Sequence, residues 1–327
     1  MTIRIEVSED IFPVRGVFRI SRGARTETRV VTVTVNDSGL IGRGECVPYS
    51  HYGETTESVI AEIQRGGLAL SEGATRSDIQ TIMQPGAARN AIDCALWDLE
   101  AKKAGKRAWE IAGIPEPHIN ETAFTLSLDD PVAMGIAAKE ANDRPLLKIK
   151  LAGKDDIERV TNIRTNAPNA RLIVDANEGW TPDMVLPFSK KLAELGVSMI
   201  EQPLPASDDA ALAEIPHAVP LCADESAHTS ADIEKLKGRY EIVNIKLDKT
   251  GGLTEAIKFR DAIISSGMDV MVGCMLGTSL GMAPAMLIAQ NAAFVDLDGP
   301  LLLAEDRSPG LCYTESKIAP PASELWG

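Results

Sequence analysis

The sequence predicts an α/β chain: a parallel βα array, most economically closed into a barrel, preceded by a smaller α+β unit. Three observations carry this. From about residue 119, eight short apolar runs alternate with helix-like segments: "AFTLSL", "LLKIK", "RLIVDAN", "VSMIEQP", "PLCADES", "EIVNIK", "MDVMVG" and "AAFVDLD". Charged residues recur near the ends of these runs, at Lys150, Asp175, Glu201, Asp224, Lys246 and Asp296, with gaps of 25, 26, 23, 22 and 50 residues. One strand, one helix and two short loops take roughly 20 to 25 residues, so each gap is one βα unit and the last is two. Finally, 327 residues, 44% of them hydrophobic, suffice for one large domain and a smaller one.

Along the chain, "TRVVTVTVN" (28–36) is β-branched and alternating, and "LIGRGECVP" follows the turn "DSG", a hairpin signal. "AARNAIDCALWDLEAKKAGK" places apolar residues at 88, 91, 92, 95, 96 and 99, one face of a helix that stops at Gly105. "RISRGART" (19–26) and "VPYSHYGE" (47–54) read as loops. Within the array, "TSADIEKLKG" has a capping Thr229 or Ser230, a periodic face and Gly238 as its stop. From about 300 the chain is Pro-rich and is expected to run back onto the first unit. The expected division is 1–118, 119–299 and 300–327.

A net charge of −14, with 47 acids against 33 Lys and Arg, argues against nucleic acid and anionic membrane as partners. An anionic substrate must therefore find local positive charge. Five scattered cysteines, none in a C-x-x-C pair, argue against disulfides and a zinc cage. "MTIRIEVSED" lacks an apolar signal region and no run is long enough to span a membrane. The expectation is a soluble, reduced, cytoplasmic protein, with a homo-oligomer left open.

Barrel active sites lie at the C-terminal ends of the strands. Lys148 and Lys150 are two apart on one strand, so both ammonium groups share a face. Strand two faces strand six in an eight-stranded ring, which sets Lys150 against Lys246. Asp175, Glu201 and Asp224 lie on the arc between them, and Asp296 and Asp298 on strand eight face strand four. Three converging carboxylates repel unless a cation joins them, and all-oxygen ligation suits Mg²⁺ or Mn²⁺. Cys222 shares parity with Asp224, but small buried cysteines are common in cores. Beside a cation and Lys148, Lys150 can be pushed toward a pKa useful for a base, while a protonated Lys148 helps bind a substrate carboxylate. Taken alone, "KIK" reads as a solvent-facing edge strand; opposite Lys246 and beside a metal it does not.

These residues match a family. With "KIK" on strand two, "DAN" at 175, "EQP" at 201, "ADES" at 223 and "NIKLDKTGG" at 244, the whole chain resembles the enolase superfamily, in its muconate lactonising enzyme subgroup. The resemblance implies a modified TIM-type (β/α)7β barrel with an α+β capping domain completed by the C-terminal segment. It implies Lys150 and Lys246 as the acid/base pair and Asp175, Glu201 and Asp224 as ligands of one Mg²⁺ per subunit. The shared chemistry is removal of a proton α to a carboxylate through an enediolate. "VDLDG" (295–299), "PYSHYGE" and "RISRGAR" resemble the dipeptide epimerase branch, which implies an isomerase acting on a small dipeptide. Its C-terminal carboxylate would lie at the metal and its amine on Asp296 and Asp298. Arg25 is the expected partner of an acidic side chain, as in epimerases acting on L-Ala-D/L-Glu, a cell-wall fragment; Arg19 and Arg22 compete with it. Tyr49, His51 and Tyr52 are expected to line the pocket. The rivals are an N-acylamino acid racemase or o-succinylbenzoate synthase on the same frame, and a non-catalytic metal-dependent binding protein, which would not need paired lysines.

Overall fold

The computed structural model describes residues 3–327. Strands β1 (Arg4–Ile20), β2 (Gly23–Asp37) and β3 (Leu40–Cys46) form an antiparallel sheet in that order. The predicted hairpin is present. Asp37 pairs with Leu40, and Ser38 and Gly39 between them take φ of 57° and 92°, the backbone that a two-residue hairpin turn demands. Val31, Val33 and Val35 of β2 pack in one apolar cluster with helices α1 (Thr56–Ser71), α2 (Arg76–Ile82) and α3 (Ala87–Ala104). Helix α3 lies so close to β3 that a Cβ at Gly42 or Gly44 would stand 2.1 Å from the carbonyl oxygen of Ala95 or Ala91. Only glycine permits that contact. The helix ends at Gly105 in the left-handed conformation, as its pattern predicts.

Residues 19–26 differ from expectation. They are not a loop: β1 and β2 stay paired to the tip, with Phe18 opposite Arg25, Arg19 opposite Ala24 and Ile20 opposite Gly23. Strand β1 fully buries only Val14; Ile5 and Val7 pack partly buried on the apolar cluster, and beyond them pairing with β2 defines the strand. Residues 47–54 are irregular apart from a short turn at Ser50–Tyr52, closed by Gly53 at φ 78°.

Eight parallel strands follow: Phe124–Leu126, Leu146–Lys150, Arg171–Asp175, Val197–Glu201, Leu221–Ala223, Ile242–Ile245, Asp269–Gly273 and Phe294–Asp296. Each is hydrogen-bonded to its neighbour in chain order. Strands one and eight meet where the Ala123 N–H donates to the Val295 carbonyl at 2.8 Å and the Thr125 N–H donates to Asp298 Oδ2 at 2.6 Å. This brings the sheet round into a barrel. Inside it, Leu146, Ile173, Met199, Cys222, Ile242, Met271 and Phe294 from strands two to eight, with Ala123 just before strand one, form an apolar plug. Cys222 belongs to this plug.

The last residues return to the first unit. Trp326 is fully buried and its indole N–H donates to the Cys94 carbonyl at 3.0 Å. The Gly327 N–H donates to Asp98 Oδ1 at 2.8 Å, and Arg43 donates to the carbonyls of Glu324 and Leu325 at 2.7 and 2.9 Å. Among the described residues no helix is long and apolar enough to cross a membrane, and the five cysteines are unpaired.

Candidate active site

Side chains two apart on a strand point the same way, so the positions two beyond the plug form the next inward layer. There the sequence supplies Lys148, Asp175, Glu201, Asp224, Asn244 and Asp296. Strand pairing sets Lys150 beside Asp175 and Asp175 beside Glu201. Asp175, Glu201 and Asp224 are buried, and each offers a carboxylate oxygen within 4.8 Å of the other two.

Four ammonium groups meet these acids. Lys150 Nζ donates to Asp175 Oδ2 at 2.7 Å, Lys246 Nζ to Asp224 Oδ2 at 2.6 Å, and Lys249 Nζ to Asp224 Oδ1 at 2.6 Å. Lys148 Nζ lies 2.6 Å from Glu201 Oε2, 2.7 Å from Asp296 Oδ2 and 3.4 Å from Asp175 Oδ2. Burial alone would raise all the acids. Lys150 and Lys148 nevertheless hold Asp175 down to about 2, and Lys246 and Lys249 hold Asp224 well below the carboxylate range. At Glu201, burial and neighbouring Asp175 outweigh Lys148, and the carboxyl is raised. Burial also opposes charge on Lys148 and Lys246, but the surrounding acids together, Asp296 foremost at Lys148 and Asp224 foremost at Lys246, keep both above the ordinary lysine range.

The donor set fits a hard divalent cation. It consists of three carboxylates with no histidine or thiol. Glu201 Oε2 is buried and accepts no well-directed hydrogen bond, although an ammonium stands beside it. Outer contacts orient the acids: Asn244 Nδ2 donates to Glu201 Oε1 at 2.7 Å, the Asn177 N–H to Asp175 Oδ1 at 2.9 Å, and the Asp224 N–H to Gln202 Oε1 at 2.8 Å.

Above the acids lies a cavity of about 420 Å³ with Lys150 and Lys246 in its lining. Phe18, Ile20, Arg25, Tyr49, His51 and Tyr52 of the two capping segments wall it, with Met275 and Leu276 from the barrel. The three arginines of the hairpin tip differ. Arg19 turns to Asp129 at 3.6 Å, and Arg22 is held by Glu225 at 2.6 Å and Glu178 at 3.3 Å. Arg25 lies 5.5 Å from the Tyr49 ring centroid and has no carboxylate partner among the described residues.

The sequence matches the family model of the mandelate racemase / muconate lactonizing enzyme N-terminal domain over residues 2–113 and the enolase C-terminal domain-like model over 134–305. The chain belongs to the enolase superfamily. Within it, the chain is 45% identical over 317 residues to the L-Ala-D/L-Glu epimerase of Escherichia coli, covering 96% of this chain and 98% of that protein. It is 43% identical to an N-acetyl-D-glutamate racemase of Pseudoalteromonas, covering 91% and 95%. The structure of an enolase family member from Agrobacterium tumefaciens with homology to dipeptide epimerases, with bound sodium and L-Ala-L-Glu, superposes with a TM-score of 0.97 at 53% identity, covering 99% and 100%. A dipeptide epimerase from Enterococcus faecalis complexed with Mg and L-Leu-L-Tyr gives 0.90 at 29% identity, covering 98% of each chain.

In this enolase-superfamily site, three of the residues expected to bind substrate sit apart from the cavity lining. Lys148 lies a layer below Lys150, and its ammonium stands within 3.4 Å of three carboxylates. Asp296 Oδ2 takes Lys148, while its Oδ1 is buried without a partner. Asp298 Oδ2 closes the barrel seam at Thr125, and burial with Asp296 beside it raises this carboxyl to about 7. For Lys148 and Asp296 the cause is layering, since inward side chains two residues apart stand at different depths; Asp298 is turned instead to the Thr125 N–H. Sequence reasoning missed Asn244, Gln202 and Lys249. Asn244 shares parity with Lys246 and could have been found. Lys249 reaches Asp224 only because Leu247–Thr250 folds into a helical turn.

Proposed function

We propose that this chain epimerises a dipeptide, with L-Ala-D/L-Glu as the substrate pair, by 1,1-proton transfer at the α-carbon of the C-terminal residue. The observation that carries the reading is the pair Lys150 and Lys246. They come from strands two and six, both line the cavity, and each touches one of the clustered carboxylates. One lysine takes the α-proton from one face and the other, protonated, returns one to the opposite face, so the centre inverts. Asp175, Glu201 and Asp224 would hold one Mg²⁺, with Mn²⁺ a chemically similar substitute. Bound there, the ion supplies positive charge against the negative charge that builds on the substrate carboxylate as the proton leaves. Lys148 offsets the charge of Glu201 and Asp296 beneath the reacting carbon. Arg25, the hairpin arginine without an acidic partner among the described residues, is assigned the substrate's side-chain carboxylate. Tyr49 and Tyr52 are its wall. Asp296 Oδ1, the buried acceptor left without a partner, is assigned the substrate's ammonium, with Asp298 adding charge beside it. We divide the labour as capping domain 1–118, barrel 119–299 and returning segment 300–327. Cell-wall peptide metabolism in the cytoplasm is the setting, supported by five unpaired cysteines.

A second reading is racemisation of an N-acylated glutamate. It is favoured by the 43% identity to an N-acetyl-D-glutamate racemase and by the prior commitments of Asp296 and Asp298 to Lys148 and Thr125. Arg25 would serve either substrate. NMR in D₂O with Mg²⁺ separates them. Loss of only the Glu α-proton of L-Ala-L-Glu, with L-Ala-D-Glu appearing, supports the epimerase. Exchange of N-acetylglutamate alone establishes the racemase and reduces Asp296 and Asp298 to structural acids.

A further inference from the structure

The hairpin tip lies across the mouth of the barrel as a strap. On one flank the Arg19 N–H donates to Ser127 Oγ at 2.6 Å, and the Leu128 N–H donates to the Arg19 carbonyl at 2.9 Å, both after strand one. On the other flank Ser21 Oγ and Arg22 Nη1 donate to the Asn177 carbonyl at 3.1 and 3.0 Å, after strand three. Arg22 Nη2 continues to Glu225 Oε1 at 2.6 Å, after strand five.

Two contacts join this strap to the second capping segment: Arg22 Nη2 donates to the Tyr49 hydroxyl oxygen at 3.0 Å, and the carboxylate of Glu178 meets a residue of each. Glu178 Oε2 is 3.3 Å from Arg22 Nη1 and 2.9 Å from His51 Nε2, while its Oε1 accepts the Ala206 N–H at 2.8 Å. A single carboxylate thus touches both capping segments and the loop after barrel strand four. Its backbone is unusual as well. Asn177 and Glu178 take φ of 45° and 65°, a conformation that L side chains rarely adopt and that persists where surrounding contacts over-determine it.

We propose that Glu178 is a positioning residue, a keeper that ties both capping segments to the barrel rim and sets how long the cavity stays closed over its substrate. The dipeptide reading enters only through the choice of substrate. Glu178→Gln preserves size and the acceptor for Ala206 but removes the charge shared by Arg22 and His51. Trypsin can cut after Arg19, Arg22 and Arg25 in the strap, and cleavage of a native protein follows the population of the opened form. In the Mg²⁺-loaded variant, strap cleavage should accelerate roughly tenfold and KM for L-Ala-L-Glu should rise by a similar factor, with kcat within about threefold. Cleavage and KM at wild-type values overturn the proposal. Should Glu178→Gln lose its cooperative fold, Arg22→Lys decides by the same two measurements, since it keeps the charge and the trypsin site but not the fork that reaches both carboxylates. Cleavage measured without substrate reports on the keeper alone. Failure to turn over L-Ala-L-Glu would therefore remove the dipeptide reading while the cleavage comparison still supports or overturns the keeper.

Discussion

The apolar plug and the layer above it come from the same strands at positions two residues apart: Leu146 and Lys148, Ile173 and Asp175, Met199 and Glu201, Cys222 and Asp224, Phe294 and Asp296. The plug is apolar and buried, and adds stability by burial. The upper layer is equally buried but costs stability, because ionised groups leave water there. Its acids Asp175, Glu201, Asp224 and Asp296 are matched by Lys148, Lys150, Lys246 and Lys249, so the charge is kept local and compensated. The contrast teaches that the barrel separates holding together from reacting, and does so over a single side-chain spacing.

Breaking the upper layer should abolish chemistry and spare the fold. Lys246→Ala is expected to lower epimerisation by about a hundred- to ten-thousand-fold, the usual share of a positioned acid or base. Exchange into D₂O should survive for the one epimer whose α-proton faces Lys150, and NMR on each epimer reads this directly. Breaking the plug should do the reverse. Met199→Ala is expected to destabilise by roughly 2 to 5 kcal/mol in denaturant unfolding, with Mg²⁺ affinity within about threefold of wild type. Asn244→Ala sharpens the boundary, since it frees Glu201 Oε1 without touching the plug. Calorimetry should show Mg²⁺ bound about ten- to a hundred-fold more weakly, the scale of losing a contact that orients a metal ligand. The smallest effect is expected farthest from the acids. Arg25→Gln should raise KM for L-Ala-L-Glu about tenfold and leave kcat for dipeptides with neutral side chains near wild type, as steady-state kinetics on both would show.

The site was legible because a βα array writes its period into the chain: Lys150, Asp175, Glu201, Asp224 and Lys246 fall one unit apart, and parity fixes their common direction. The array's eight strands were legible for the same reason. Depth was not. Parity says that Lys148, Lys150, Asp296 and Asp298 point inward, but only the stagger between strands says that Lys148 lies under the cavity and that Asp298 meets strand one. The capping hairpin was least visible. Gly23 and the arginines of 19–26 read as a loop, since its pairing depends on β2 and its docking on Ser127, Asn177 and Glu178, far away in the chain.

The bond from Trp326 to the Cys94 carbonyl closes a circuit of 232 residues. Helix α3 therefore emerges from the ribosome long before the indole that completes its surroundings. At ordinary synthesis rates the delay is roughly ten to fifty seconds. During it the whole barrel is made while the domain that covers it waits with an open seat. The surroundings of α3 are thus completed only after the barrel strands between Cys94 and Trp326 have all been made.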